Sequence, residues 1–350
     1  MNDKKWVIVF LAILLTFLSL TYSLRYTAQQ FVYDLERATW KAKSSMIDNI
    51  NTYSYDYLII GTSRTLALNP SYLSRNYNTE TVNLSVGGAT APSVYFFVER
   101  LLEQDIKPKK IYIELNPMNL TSHDTNVQTT LGERFIRFVA KKDEAIDLST
   151  YDSSALEKYR RINSFPFNDY FYKDNGTLIE GIRRRLNNRL SDGQMIEKLK
   201  DNKGFFLFGK DTLDFSEINN QINTADAIHY GEYIHTYTTQ EIPVLTQVYF
   251  KRLLEKLESS NIDYHFFFSP MPQGRKMIEN LSFGKMTELY NQIDKDKITS
   301  SVLLLDEKYF SDPSHVNYRG SIKYNDYFNQ CIVTADCTFD TYELELEGSE

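Results

Sequence analysis

Tyr57-Leu58-Ile59-Ile60-Gly61-Thr62-Ser63-Arg64 is the stretch that sets the fold of this chain. Four apolar or aromatic residues run directly into Gly-Thr-Ser. A short unbroken apolar run reads as a strand buried on both faces. Gly61 lets the chain turn sharply without a Cβ penalty. Ser63 then falls just past the strand's C-terminal end, where open α/β sheets place their ligands. Two readings of the hydroxyl stay open here. It is a nucleophile if a base reaches it, or Thr62 or Ser63 merely caps the next helix.

Outward from this strand, apolar runs alternate with helical patterns. Asn69-Pro70-Ser71 opens a short helix, and Thr81 to Val86 reads as a second strand ending at Gly87-Gly88. Ala91-Pro92-Ser93 starts a helix through Leu102, with Val94, Phe97, Val98, Leu101 and Leu102 on one apolar face. Ile111 to Leu115 is a third strand. This alternation predicts an α/β fold with a parallel sheet and right-handed crossovers. After Asn116 the pattern dissolves, and residues 120–240 read as an irregular insertion over the mouth of the site. Arg183, Arg184, Arg185 and Arg189 read there as a solvated helix face, with a grip on an anionic polymer or headgroup as the rival. His229 and His235 lack partners at ligand spacing, so no metal site is expected.

The core pattern returns at Ile242 with an amphipathic helix ending at Asn261. Tyr264 to Phe268 is a buried strand in which His265 reads as a packed, hydrogen-bonded histidine. A helix over 284–296, a last strand from Val302 to Leu305 and a closing helix over 319–332 follow. The tail from Thr338 is acidic and expected to fray.

At the other end, Trp6 to Leu24 is a run of 19 residues without a charge. As a helix it would be about 28 Å long, close to the hydrocarbon thickness of a bilayer. Lys4 and Lys5 before it predict an N-terminus on the cytoplasmic side, although Arg25 weakens the bias. A cleaved signal peptide is the rival, but Thr21-Tyr22-Ser23-Leu24-Arg25 offers no small-x-small site. The expectation is an uncleaved signal anchor over residues 1–25, a stalk over 26–54, a main domain over 55–335 and a tail over 336–350. The net charge is −7, with no concentrated basic tract, which argues against a nucleic-acid partner. Cys331 and Cys337 cannot make a zinc site by themselves. They close a small disulfide loop if the domain lies outside the cytoplasm.

Far along the chain stands Asp312-Pro313-Ser314-His315, followed by Val316-Asn317-Tyr318-Arg319-Gly320. Asp and His three residues apart before a helix can sit side by side, the carboxylate orienting a ring that takes a proton from a hydroxyl. With strand-Gly61-Thr62-Ser63 near the start, this resembles the SGNH (GDSL-like) hydrolase superfamily. The resemblance implies a three-layer, flavodoxin-like α/β fold with Ser63, His315 and Asp312 as a catalytic triad. It implies oxyanion donors from Gly87 or Gly88 and from Asn116, with Asn119 as the substitute. The family pattern Gly-x-Asn-Asp reads here Glu114-Leu115-Asn116-Pro117. Arg64 is a candidate for binding an anionic substrate group, with a structural salt bridge as its rival.

A membrane-tethered, outward-facing domain of this kind is similar to the partners of polytopic membrane acyltransferases, such as alginate-type O-acetyltransferases and the D-alanyl transfer protein of teichoic acids. The resemblance therefore implies O-acylation of a cell-envelope glycan or polymer, next to a polytopic acyltransferase, with no cofactor. An envelope esterase and a catalytically inactive glycan-binding subunit are the alternatives.

Overall fold

The computed structural model describes residues 3–115, 124–164, 176–187, 190–207, 242–273, 289–312 and 314–343. In chain order the helices are α1 (Asp3–Phe31), α2 (Leu35–Asp48), α3 (Pro70–Tyr77), α4 (Ala91–Leu102), α5 (Asp124–Thr130), α6 (Lys142–Leu148), α7 (Ser154–Asn163), α8 (Gly176–Leu186), α9 (Asp192–Asp201), α10 (Val244–Ser259) and α11 (Tyr318–Tyr327). The chain divides into two compact units, Met1–Lys41 with Gly132–Lys198 and Ala42–Leu131 with Leu199–Glu350.

The first unit is helical. Its polar centre is a buried pair in which the Arg37 guanidinium donates to Asp192 at 2.8 Å. Trp40 packs edge-on against Phe135. On α1 the apolar side chains from Trp6 to Leu20 are exposed. Among the described residues no helix is long and apolar enough to cross a membrane. The expected span runs on to Leu24, and the side chains of Thr21, Tyr22 and Leu24 lie outside the described set. Arg183 and Arg184 pair with Glu180 on the exposed face of α8, as a solvated face should. Arg189, His229 and His235 lie outside the described residues. The described parts of 120–240 are short helices rather than irregular chain. Each is too brief, and too polar between its apolar positions, to carry a legible period.

The second unit holds the sheet. β1 (Tyr57–Ile60), β2 (Thr81–Asn83), β3 (Lys110–Glu114) and β4 (Tyr264–Phe267) are parallel in the order β2-β1-β3-β4. Tyr57 faces Thr81 on one side and Lys110 on the other, and Ile111 faces Tyr264. β5 (Met271–Pro272) and β6 (Ser301–Leu305) are also parallel. A parallel bridge from Phe266 to Ile298 brings the chain entering β6 beside β4. Of the helix expected over 284–296, residues 284–288 lie outside the described set; 289–290 are helical, but 291–294 are turn and coil and the stretch ends in a 3₁₀ turn, Lys295–Lys297, capped by Asp294.

Alternate residues serve opposite faces of the sheet, as the strand period requires. Ile59, Tyr112, Phe267 and Leu303 share one core with Leu73 of α3 and with Tyr324 and Tyr327 of α11. On the other face α4 packs on α10, and Phe250 stacks near Phe266. These helix, sheet and helix layers are compatible with a three-layer α/β fold. The sheet reverses its winding between β1 and β3, so a crevice forms beyond their C-terminal ends.

Two strands differ from expectation. β2 stops at Asn83, although Leu84 N–H and Val86 N–H still donate to the carbonyls of Ile59 and Gly61; the Asn83 amide donates to the carbonyls of Thr65 and Leu68 and its oxygen accepts from Ser85 N–H. The expected frayed tail instead adds β7 (Thr341–Glu343), antiparallel to β6. Glu343 accepts hydrogen bonds from the hydroxyls of Ser300 and Ser301. Phe339 meets the Tyr327 ring edge-on, and a Cys331–Cys337 disulfide holds the tail to the end of the closing helix. Closing so small a loop is worth about 2 kcal/mol through the unfolded chain. Replacing both cysteines by serine should lower the denaturant midpoint accordingly and expose β7 amides to hydrogen exchange. An unchanged midpoint would show that the tail is held without the bridge.

Candidate active site

The turn after β1 is built from its backbone outward. The Gly61 carbonyl accepts from Val86 N–H at 3.0 Å, and Thr62 N–H donates to Glu114 Oε2 at 2.6 Å. Thr62 Oγ1 accepts from Arg64 N–H, and the Thr65 hydroxyl is shared between the Thr62 carbonyl and Glu114. Thr62 is therefore the residue that closes the local turn. Ser63 does not cap the short 3₁₀ turn Thr65–Ala67 that follows.

Ser63 Oγ lies 2.8 Å from His315 Nε2. The other ring nitrogen, Nδ1, is 2.7 Å from Asp312 Oδ2 and 2.9 Å from Oδ1. The loop carrying this pair is closed on itself. Asp312 Oδ1 accepts from the N–H groups of Ser314 and His315, and the His315 carbonyl accepts from Ser311. Asn317 caps α11 through Gly320 N–H and donates back to the carbonyls of Lys308 and Phe310. Burial pushes the Asp312 carboxyl up, but the hydrogen bond and charge of the His315 ring outweigh it and hold it below the usual carboxylate range. An ionised Asp312 fixes the tautomer with the proton on Nδ1, which leaves Nε2 to accept the Ser63 proton. Ser63, His315 and Asp312 are all partly exposed.

The structure thus brings Ser63, His315 and Asp312 into one hydrogen-bonded chain. Gly87 and Gly88 follow directly on Val86, whose N–H reaches the nucleophile turn. Gly88 has φ +67°, a conformation that favours glycine. Asn116 and Asn119 lie outside the described residues. Arg64 is 6% exposed and donates to the Pro270 carbonyl at 2.8 Å, so it faces the interior and ties the loop after β4 to the turn. A cavity of about 30 Å³ lies beside the turn, lined by Gly61, Thr62, Ala89, Ile113 and Phe250 among others. Among the described residues no cluster of three metal-ligating side chains is present.

Several supporting residues carry too weak a sequence signal to be singled out beforehand. Glu114, Ser269 and Tyr324 form a buried polar chain behind the turn. Asn83 braces the 3₁₀ turn after Ser63 from β2. Their only sequence signal is a polar residue at the end of an apolar run. His265 matches its expectation: its Nε2 is 2.6 Å from Thr299 Oγ1, and burial first, then Lys110, lowers its pKa to about 4.

Fold and site together define an α/β protein with a Ser–His–Asp chain at the C-terminal edge of its parallel sheet. The chain belongs to the DUF1574 family, described as a protein of unknown function, whose profile matches residues 1–328. No curated protein matches the chain.

Proposed function

We propose that this chain is a serine acyl-transfer enzyme of the SGNH type, with a flavodoxin-like core, acting on a cell-envelope polysaccharide or polymer. The observation that carries the reading is the 2.8 Å contact between Ser63 Oγ and His315 Nε2, backed by Asp312. His315 takes the serine proton as Ser63 attacks an ester carbonyl, and Asp312 stabilises the imidazolium that forms. The oxyanion is met by the Ser63 N–H, with the Gly87-Gly88 backbone and the Asn116 amide as further donors. The protonated ring then gives its proton to the leaving alkoxide. In the second half-reaction an acceptor hydroxyl, deprotonated by His315, attacks the acyl-serine. The acyl group passes to the acceptor, and the ring returns the proton to Ser63.

The cavity beside the turn has room for about two waters. The uncharged run Trp6–Leu24 and the exposed apolar face of α1 support a membrane tether. The Cys331–Cys337 disulfide supports a domain outside the cytoplasm, where such bonds persist. A tether would hold the site near a membrane-delivered acyl donor and raise its effective concentration.

The test offers the full chain in detergent a chromogenic acetyl ester, with and without oligosaccharide acceptors. Acetylated oligosaccharide formed only with acceptor present is the expected result. Hydrolysis at a rate indifferent to acceptor would make the protein an esterase instead. No reaction and no labelling of Ser63 would leave a binding or scaffolding role.

A further inference from the structure

We infer that Glu114 is a positioning residue for the nucleophile turn, holding the peptide that carries the Ser63 N–H, a role that rests on the acyl-transfer reading of the same site. Glu114 ends β3, is 6% exposed, and reaches under the turn that follows β1. Its carboxylate uses both oxygens. Oε2 accepts from Thr62 N–H at 2.6 Å and from the Thr65 hydroxyl at 3.2 Å. Oε1 accepts from Ser269 Oγ at 2.6 Å.

These contacts fix two successive peptide planes. The plane joining Gly61 to Thr62 is pinned at its N–H by Glu114 and at its carbonyl by Val86 N–H. The plane joining Thr62 to Ser63 is met at its carbonyl by Thr65 Oγ1 at 2.9 Å, whose single proton is shared with Glu114 Oε2 at 3.2 Å, so the carboxylate keeps that hydroxyl in place beneath the carbonyl. A trans peptide points its N–H opposite to its carbonyl. Holding the Thr62 carbonyl inward therefore aims the Ser63 N–H outward, where an oxyanion would form. A charged acceptor makes these bonds short and stiff.

The far end of the chain reaches the other half of the site. Ser269 spends its proton on Glu114, so the contact of 2.9 Å to Tyr324 Oη has the phenol as donor. Burial, and then the Glu114 charge, raise the Tyr324 pKa well above 10, which keeps that proton in place. Tyr324 sits on α11, the helix that follows the Asp312–His315 loop. One buried carboxylate thus ties the turn bearing the nucleophile to the helix behind the base.

The test uses the full-length chain and the rate at which a fluorophosphonate labels Ser63, with kcat, KM and Tm for the acetyl ester. Glu114→Gln keeps the volume but gives up the charge and one acceptor. It should lower kcat and the labelling rate about tenfold, with KM within about twofold and the shape of the pH profile unchanged, since His315 is still the base. Tyr324→Phe should lower both about threefold and add little on top of Glu114→Gln, because the two act in one chain. Glu114→Gln labelling at the wild-type rate would overturn the inference while leaving the acyl-transfer reading intact. Wild-type protein that does not label at all would remove both. If Glu114→Gln does not fold, Tyr324→Phe and Ser269→Ala decide the matter: slowed labelling in both would support the role, and normal labelling in both would overturn it.

Discussion

Ser63→Ala should abolish acyl transfer while leaving the protein folded. The expected loss in kcat is at least about a thousandfold, since the variant keeps substrate binding and the oxyanion donors but forms no acyl-enzyme. Ser63 is partly exposed, and its hydroxyl is bonded to His315 rather than to backbone, so its removal leaves no buried group without a partner in the core. His315→Ala should cost about as much, and the double variant little more, because the two act as one unit. Asp312→Asn keeps an acceptor for Ser314 and His315 N–H but presents an amide to Nδ1. It should lower the rate without lowering stability much. Turnover of the acetyl ester and fluorophosphonate labelling report all four. Residual activity near wild type in Ser63→Ala, with an unchanged Tm, would rule out covalent catalysis at this serine.

Gly61→Ala should be strongly destabilising at the turn after β1. A Cβ at Gly61 would lie 2.7 Å from both Glu114 Cβ and Glu114 Oε2, and would also strike Thr65 Oγ1. None of these can step aside cheaply. Glu114 Cβ is fixed by the pairing of Ile60 with Ile113, and the carboxylate and hydroxyl are held in the chain behind the turn. Overpacking of this kind costs about 3 kcal/mol. The molecules that remain folded should also react slowly at Ser63, because the Thr62–Glu114 bond is displaced. Gly87→Ala is the control, since a Cβ there meets nothing within 4 Å. Denaturant midpoints for the two variants give the comparison. A Gly61→Ala midpoint equal to that of Gly87→Ala would mean that the strand ends are looser than the packing implies.

The parallel core is legible in the sequence because its strands are apolar on both faces. Ile111–Leu115 and Tyr264–Phe268 are read to within a residue, and the first strand, read from Tyr55 to Ile60, begins two residues later at Tyr57. The Ser63 and Asp312–His315 segments are legible because each lies just where an element ends. Glu114 is not. In sequence it is an acidic residue spoiling a familiar pattern, and only the β1–β3 register reveals that its side chain reaches the neighbouring turn. Arg64 left two readings open in sequence for the same reason, since adjacency to Ser63 says nothing about which way the side chain leaves the backbone; it is buried and donates to the Pro270 carbonyl. β7 hides behind its polarity. Thr341, Tyr342 and Glu343 offer no apolar run, and the strand is held by serine hydroxyls on Glu343, a ring contact and a disulfide.

Ser63 and His315 stand 252 positions apart along the chain, yet they meet through a single hydrogen bond. The pair therefore exists only once two remote segments of the chain have been folded together. Without α11 packed on the sheet, the Asp312–His315 loop that precedes it loses its support beside Ser63. If the acyl-transfer reading holds, truncation before α11 should abolish turnover, because the helix that follows the His315 loop is then missing.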